Sequence, residues 1–290
     1  MRREYVRRFR VRHYELDRFS HVNNAVYVKY MQEAAIEAST EAGFSPDWYT
    51  ANGTGWVIRK LDIRYFLQLH YNDELAIKTW VSDIQRVSSH REYEITRVAD
   101  NARVARARVN WIYVDLNTRR PLRISPIFFE AFSPDGELES LDIHIPKAHV
   151  PENAYRYRTQ RRVAFYEVDT AQHVHHAVYL EWILQAYFDA IRAGGYPLDK
   201  ASAEGFNVLQ GGHSIEYFEP AFDHDSIEIT SWICELGKVR GAWIHEIRNS
   251  DSGKLLARDY SLGIFVNPQG KLITGPEHIV GAVVRGPISK

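Results

Sequence analysis

The chain has 290 residues, 45% hydrophobic and 25% charged, with a formal net charge of -1. This profile fits a soluble globular protein with room for two domains, and the near-neutral charge gives no ground for nucleic acid or a membrane surface as partner. A single cysteine, Cys234, excludes an intrachain disulfide, the basic N-terminus lacks the apolar core of a secretory signal, and no run of about 18 apolar residues is present to span a membrane, so the expected location is the cytoplasm.

Residues 5–13 alternate, with Phe9, Val11 and His13 on one side and Arg8, Arg10 and Arg12 on the other, which predicts a strand with one basic face. A loop over 15–23 follows, and then a helix of about 18 residues capped by Asn23 or Asn24. Val26, Tyr27, Tyr30, Met31, Ala34 and Ala38 recur at spacings of three and four and form its apolar face. Gly43 and Pro46 end it. Four strand-like runs come next, over 56–66, 74–84, 91–99 and 102–114, with a turn at Asn72 and Asp73. Their short polar connections suit an antiparallel meander. Residues 125–132 predict a short closing helix. The polar segment 133–153 carries three prolines and divides the chain into a domain over 1–135, a linker over 136–154 and a domain over 155–290.

From residue 156 the order repeats at an offset of 152 positions. Between Arg10 and Ala34, 11 of 25 positions are identical at that offset, where unrelated stretches would share about one or two. Asp17 falls on Asp169, His21 on His173, Tyr27 on Tyr179, Asp73 on Asp225 and Trp80 on Trp232, and the register holds without a gap from about residue 10 to 117. One strand, one long helix and four strands, twice over, describe an α+β layout in which a sheet curls around a helix.

The stretch LDRFSHVNNAVYVKYMQEA, then DIRYF, then DELAIKTW, resembles the hotdog-fold thioesterases, the group that includes hydroxybenzoyl-CoA thioesterase. Two such units in one chain resemble the double-hotdog arrangement of acyl-ACP and related acyl-CoA thioesterases. The resemblance implies two tandem hotdog domains, each an antiparallel sheet wrapped around a long central helix, and hydrolysis of an acyl thioester without cofactor or metal. Plant acyl-ACP thioesterases carry D-x-N-x-H in their C-terminal repeat. Here Phe19 and Ala171 stand at the middle position, the first repeat is the closer match, and the second reads HVHH with Gln185 in place of Glu33.

Thioester hydrolysis needs an attacking water or carboxylate and a donor for the oxyanion. A carboxylate held beside a helix start suits the first role. The free N–H groups and positive dipole end of the helix beginning near Asn24 suit the second. The thiolate leaving group needs little protonation. The resemblance therefore implies catalytic parts for Asp17, as general base or nucleophile, for His21, orienting Asp17 or a water, and for Asn24 through its N–H. Asp169, His173 and His176 hold the same places in the second repeat. Asn23, Tyr27, Glu33, His175 and Tyr179 are expected to meet substrate; Glu33, if exposed, is simply a good helix former, and, if buried in the groove between repeats, an alternative working carboxylate to Asp17. Asp17 is ranked above Asp169. The histidine cluster at 173, 175 and 176 invites zinc, but the first repeat has His, Asn and Asn at these places, so a metal is not built into the motif.

The expected partner is an acyl-CoA or acyl carrier protein substrate in fatty acid metabolism. Duplication supplies the hotdog pair within one chain, so a monomer with an internal pseudo-dimer and a homodimer both remain open. Two other activities fit the fold: a hotdog hydratase or dehydratase acting on enoyl thioesters, and a non-catalytic acyl-CoA-binding protein.

Overall fold

The computed structural model describes residues 3–137, 154–267 and 269–287. The chain divides into two compact units, Met1–Ile143 and His144–Lys290. The segment expected as linker lies outside the described residues, apart from its ends.

The first unit runs β1 (Glu4–Arg10), α1 (Asn24–Glu41), α2 (Pro46–Ala51), β2 (Thr54–Tyr65), β3 (Glu74–Ile84), β4 (Ser88–Arg97), β5 (Arg103–Asp115) and α3 (Pro126–Phe132). Its five strands lie in the order β1-β3-β4-β5-β2, and every pair is antiparallel. The meander expected from the short connections therefore holds for β3, β4 and β5 only. β2 joins the far side of β5, because the edge of β3 that would receive it is taken by β1, with Phe9 opposite Leu75. α1 lies against β1 and β3.

Why α1 forms where it does is readable locally. Asn23 caps it, its side chain accepting the N–H of Ala25 and so satisfying one of the helix's orphan donors. Its buried face is Ala25, Tyr27, Val28, Tyr30, Met31, Ala34 and Ala38, which is the expected stripe with Ala25 and Val28 in place of Val26. Phe9 stacks on Tyr30 with ring centroids 4.7 Å apart. Gly43, at φ 97°, ends the helix in the left-handed region that glycine enters without steric cost. At the far end of the sheet Phe44, Val81, Tyr113, Ile124, Phe128 and Phe132 form one buried cluster, so the closing helix α3 is held by aromatic packing.

The second unit repeats the plan. It runs β6 (Tyr157–Arg162), α4 (His176–Ala193), α5 (Leu198–Ala203), β7 (Asn207–Tyr217), β8 (Ser226–Leu236), β9 (Arg240–Asn249), β10 (Leu255–Val266) and α6 (Glu277–Arg285). Its strands lie in the order β7-β10-β9-β8-β6, all antiparallel. α2, α5 and α6 were not expected. α6 is nonetheless the counterpart of α3, since Glu277 lies 152 positions after Ser125, and Tyr157 Oη donates to the carbonyl of Val283 at 2.7 Å to tie it down.

Candidate functional site

Each long helix starts beside a tight turn built from backbone hydrogen bonds. In the first unit Leu16 and Val22 form a β-bridge, the N–H of Asp17 donates to the carbonyl of His21 at 2.7 Å, and that of Ser20 donates to Asp17 O at 3.0 Å. Ser20 takes a φ of 63° to close the turn, and Gln172 does the same at 62° in the second unit. Asp17 Oδ1 accepts the N–H groups of Phe19 at 2.8 Å and His21 at 3.1 Å. A short carboxylate side chain that folds back on its own backbone is what makes aspartate a turn residue. It also leaves the second oxygen available: among the described residues Oδ2 accepts no hydrogen bond. Asp17 is only half-buried.

The turn is pinned from beneath by a residue that composition and spacing did not single out. Glu15 is 8% exposed. Its carboxylate accepts from the N–H of Arg12 at 2.7 Å, from the Arg12 guanidinium at 3.1 Å and from Tyr30 Oη, while its carbonyl accepts the N–H of Asn23 at 3.0 Å. Glu167 does the same work with different partners, accepting from the N–H of Ala164 and from Trp182 Nε1, both at 2.9 Å, and from Arg161. Glu15 and Glu167 are identical at the repeat offset, and that was the available signal. The arginines near the strand ends are largely occupied by carboxylates of their own unit: Arg7 pairs with Glu37, Arg10 with Glu74, Arg12 with Glu15 and Arg161 with Glu167.

The helix start is open. Asn23 side chain and carbonyl take the N–H groups of Ala25 and Val26. The N–H of Asn24 has no acceptor among the described residues, and it sits at the positive end of the helix dipole. The carbonyl of Asn24 accepts from Tyr65 Oη at 3.2 Å, so a side chain from β2 fixes the orientation of that first peptide. The second unit copies this. His175 Nδ1 accepts the N–H of Ala177 at 3.2 Å, the carbonyl of His176 accepts from Tyr217 Oη at 3.0 Å, and the N–H of His176 has no acceptor among the described residues.

The other expected site residues fall in different places. His21 is half-buried with its ring edge-on to His70 at 5.3 Å. Burial lowers its pKa below the ordinary value, helped by His70 and opposed by Asp17. His173 Nδ1 lies 3.9 Å from Asp169 Oδ1, and Asp169 accepts the N–H of Ala171 at 2.8 Å. The rings of His175 and His176 stack at 4.4 Å, and the pKa of His176 is pushed well down, first by burial and then by its two histidine neighbours. Among the described residues no group of three or more His, Cys, Asp or Glu is placed to hold a metal ion. Tyr27 and Tyr179 are buried; Tyr27 Oη accepts the N–H of Leu69 and Tyr179 Oη that of Ala221 at 3.0 Å. The two tyrosines thus brace the connection that crosses the helix start. Glu33 is exposed on α1, well past the helix start, and its counterpart Gln185 is exposed too.

A family model described as "Thioesterase-like superfamily" matches residues 11–132 and again 163–283. The chain belongs to the thioesterase-like superfamily. It is 24% identical to the chloroplastic oleoyl-acyl carrier protein thioesterase 2 of Arabidopsis thaliana over 63% of this chain and 53% of that protein. It is 30% identical to the long-chain acyl-CoA thioesterase FadM of Escherichia coli strain K12 over 40% of this chain and 86% of that protein. The chain spans about half the length of the first of these relatives. Among solved structures, an acyl-ACP thioesterase from Bacteroides thetaiotaomicron superposes with a TM-score of 0.68 at 17% identity, covering 91% of this chain and 98% of that one. The fold is that of two tandem hotdog domains, as the duplicated motif implied. Both halves of the superfamily match begin just before the Asp turn and end in the closing helix. The match therefore contains the turn, the pinned glutamate and the open helix start in each repeat. No helix among the described residues is long and apolar enough to cross a membrane.

Proposed function

We propose that the chain hydrolyses acyl thioesters of coenzyme A or acyl carrier protein, with the Asp turn and the helix start as the working parts of each site. The observation that carries this is the repeated pairing of a carboxylate with a free oxygen and an N-terminal helix amide with no internal acceptor. In this scheme Asp17 takes a proton from water as the water oxygen adds to the thioester carbonyl. The N–H of Asn24 donates to the oxygen as it gains charge. The tetrahedral intermediate then collapses, the C–S bond breaks, and the thiolate leaves with the sulfur electron pair. The carboxylic acid and thiol equilibrate with solvent. Attack by the Asp17 carboxylate itself, through an anhydride that water then opens, uses the same geometry. An oxyanion donor of this kind is worth about 3 to 4 kcal/mol in other hydrolases. His21 orients the water or Asp17, and Asn23 supports the helix start; Asp169, His173 and His176 serve the second repeat. In this reading the acyl thioester is the partner, whether the chain acts as a monomer or as a homodimer, and the reaction takes place in the cytoplasm.

Thiol release from a panel of acyl-CoA and acyl-ACP esters tests this. Asp17→Asn is expected to slow the first site by about a hundredfold, the usual weight of a positioned base, so that total turnover falls to what the second site supplies, and Asp169→Asn to remove the smaller share. Full turnover in Asp17→Asn would remove Asp17 from the mechanism, and loss confined to Asp169→Asn would reverse the ranking.

A further inference from the structure

Arg91, on β4, is a cation inside the first unit. It is 7% exposed and stands opposite Val81 on β3 and Val109 on β5. Its guanidinium donates to Thr79 Oγ1 at 3.5 Å and lies 5.3 Å from the centre of the Phe132 ring. Among the described residues no carboxylate is ion-paired with it. The buried carboxylates hold other arginines: Glu92 pairs with Arg108, Glu15 with Arg12 and Glu167 with Arg161. Glu92 follows Arg91 directly, but successive side chains of a strand point to opposite faces. The electrostatic neighbours of Arg91 are the phenols of Tyr93 and Tyr49. Burial raises the pKa of both, that of Tyr93 to about 12, so neither is charged at neutral pH to offset the guanidinium. An arginine does not escape by losing its proton, and burying its charge without a counter-charge costs far more than one cation–π contact returns.

The fold does not require this charge. In the second unit the same register position, opposite Ile233 and Ser261, belongs to Trp243, whose ring meets that of Tyr187 at 5.3 Å. At the repeat offset Tyr187 corresponds to Ala35. Two rings of the second unit are thus replaced in the first by a methyl group and a guanidinium, which fill less volume and add a charge. Nor is the fork shut off. Nη1 has Thr79 as acceptor, and no nitrogen of Arg91 is both sealed from solvent and without an acceptor, so Nε and Nη2 keep contact with solvent.

We propose that Arg91 is the anion-binding group of a site in the first unit that takes a carboxylate attached to an apolar body. The planar fork matches the two oxygens of a carboxylate, and Val81, Val109 and Phe132 suit the apolar part. Two sources offer that chemistry. One is a free carboxylic acid, the class of product that thioester hydrolysis releases. The other is an acyl thioester bearing a second carboxylate, and only this source rests on the thioester reading.

Thermal unfolding of the whole chain with octanoate, neutral octanamide or inorganic phosphate tests the first source. Octanoate is expected to raise the midpoint of the wild type, and octanamide and phosphate are expected to leave it unchanged. Arg91→Met, of similar length, should bind octanoate at least about tenfold more weakly. Arg91→Lys, which keeps the charge without the fork, should fall between them, and it carries the test if Arg91→Met fails to fold. Thiol release from the CoA monothioesters of octanoate and octanedioate tests the second source. There Arg91→Met should raise KM for the octanedioate ester about tenfold and leave the octanoate ester unchanged. Either result supports the site and names its source. Octanoate that stabilises wild type and Arg91→Met equally overturns it, since the acid then binds elsewhere. So does phosphate acting as strongly as octanoate, or an octanoate effect on neither protein with both esters responding alike to Arg91→Met. Thiol release from no ester removes the thioesterase reading and leaves the octanoate measurement to decide.

Discussion

Tyr65 illustrates how a residue outside the motif controls it. Its hydroxyl holds the carbonyl of Asn24, and Tyr217 repeats the contact on His176. Removing one neutral hydrogen bond costs about 1 kcal/mol, so Tyr65→Phe is expected to lower the thermal midpoint only slightly. Turnover should fall about fivefold with KM little changed, because the first peptide of the helix loses the contact that aims its N–H. Steady-state kinetics on a single acyl-CoA checks this, and an unchanged kcat would show that α1 aims its own first amide. The signal for Tyr65 was in the sequence, since the YF pair recurs at the repeat offset. What periodicity does not report is that β2 ends under the helix start. The same applies to Tyr27 and Tyr179, which the motif placed near substrate and the structure buries against the backbone of Leu69 and Ala221.

At the scale of elements, the start of α1 and the sheet of the second unit make separate predictions. The Asn23 side chain caps α1 by accepting the N–H of Ala25. Asn23→Ala is expected to cost about 1 kcal/mol of stability and Asn23→Asp little, as read from urea midpoints; equal losses in both would mean that the amide has a further role. In the second unit His245 is fully buried between Ser231 Oγ at 2.8 Å and Ser261 Oγ at 3.0 Å. Burial holds its pKa down to about 4 from the ordinary 6.5. The unfolded chain therefore binds a proton that the folded one refuses between those values, and stability falls as pH drops through 6.5, until the folded state also protonates near 4. From neutral pH to about pH 5 this amounts to about 2 kcal/mol. The wild type is expected to lose that much more over this range than His245→Gln, by chemical denaturation at the two pH values. Parallel losses would show that His245 does not carry the acid sensitivity.

For the whole molecule, duplication makes two candidate sites in one chain, and the two repeats have diverged unequally. The first keeps Asn23 and Asn24 at the helix start where the second has stacked His175 and His176. With two working sites, the Asp17→Asn/Asp169→Asn double variant should abolish thiol release, while each single variant leaves the turnover of the other site. If the double variant loses no more than Asp17→Asn alone, the second repeat makes no contribution to turnover.

The sequence by itself determined the duplication, the α+β class, the extents of the long helices and central strands, and the place of the Asp turn. These depend on local signals: caps, alternation, turn residues, and identity at a constant offset. The structure alone decided that β2 lies beyond β5, because which strand edge is free depends on where β1 docks. It also decided that Glu15 and Glu167 are buried pins and that Glu33 points to solvent, since burial depends on which elements close over a residue. The unpaired charge of Arg91 belongs to the same class. Arg91 and Glu92 are adjacent in the chain, and only the pleat and the antiparallel register set Glu92 opposite Arg108 and leave Arg91 opposite Val81 and Val109.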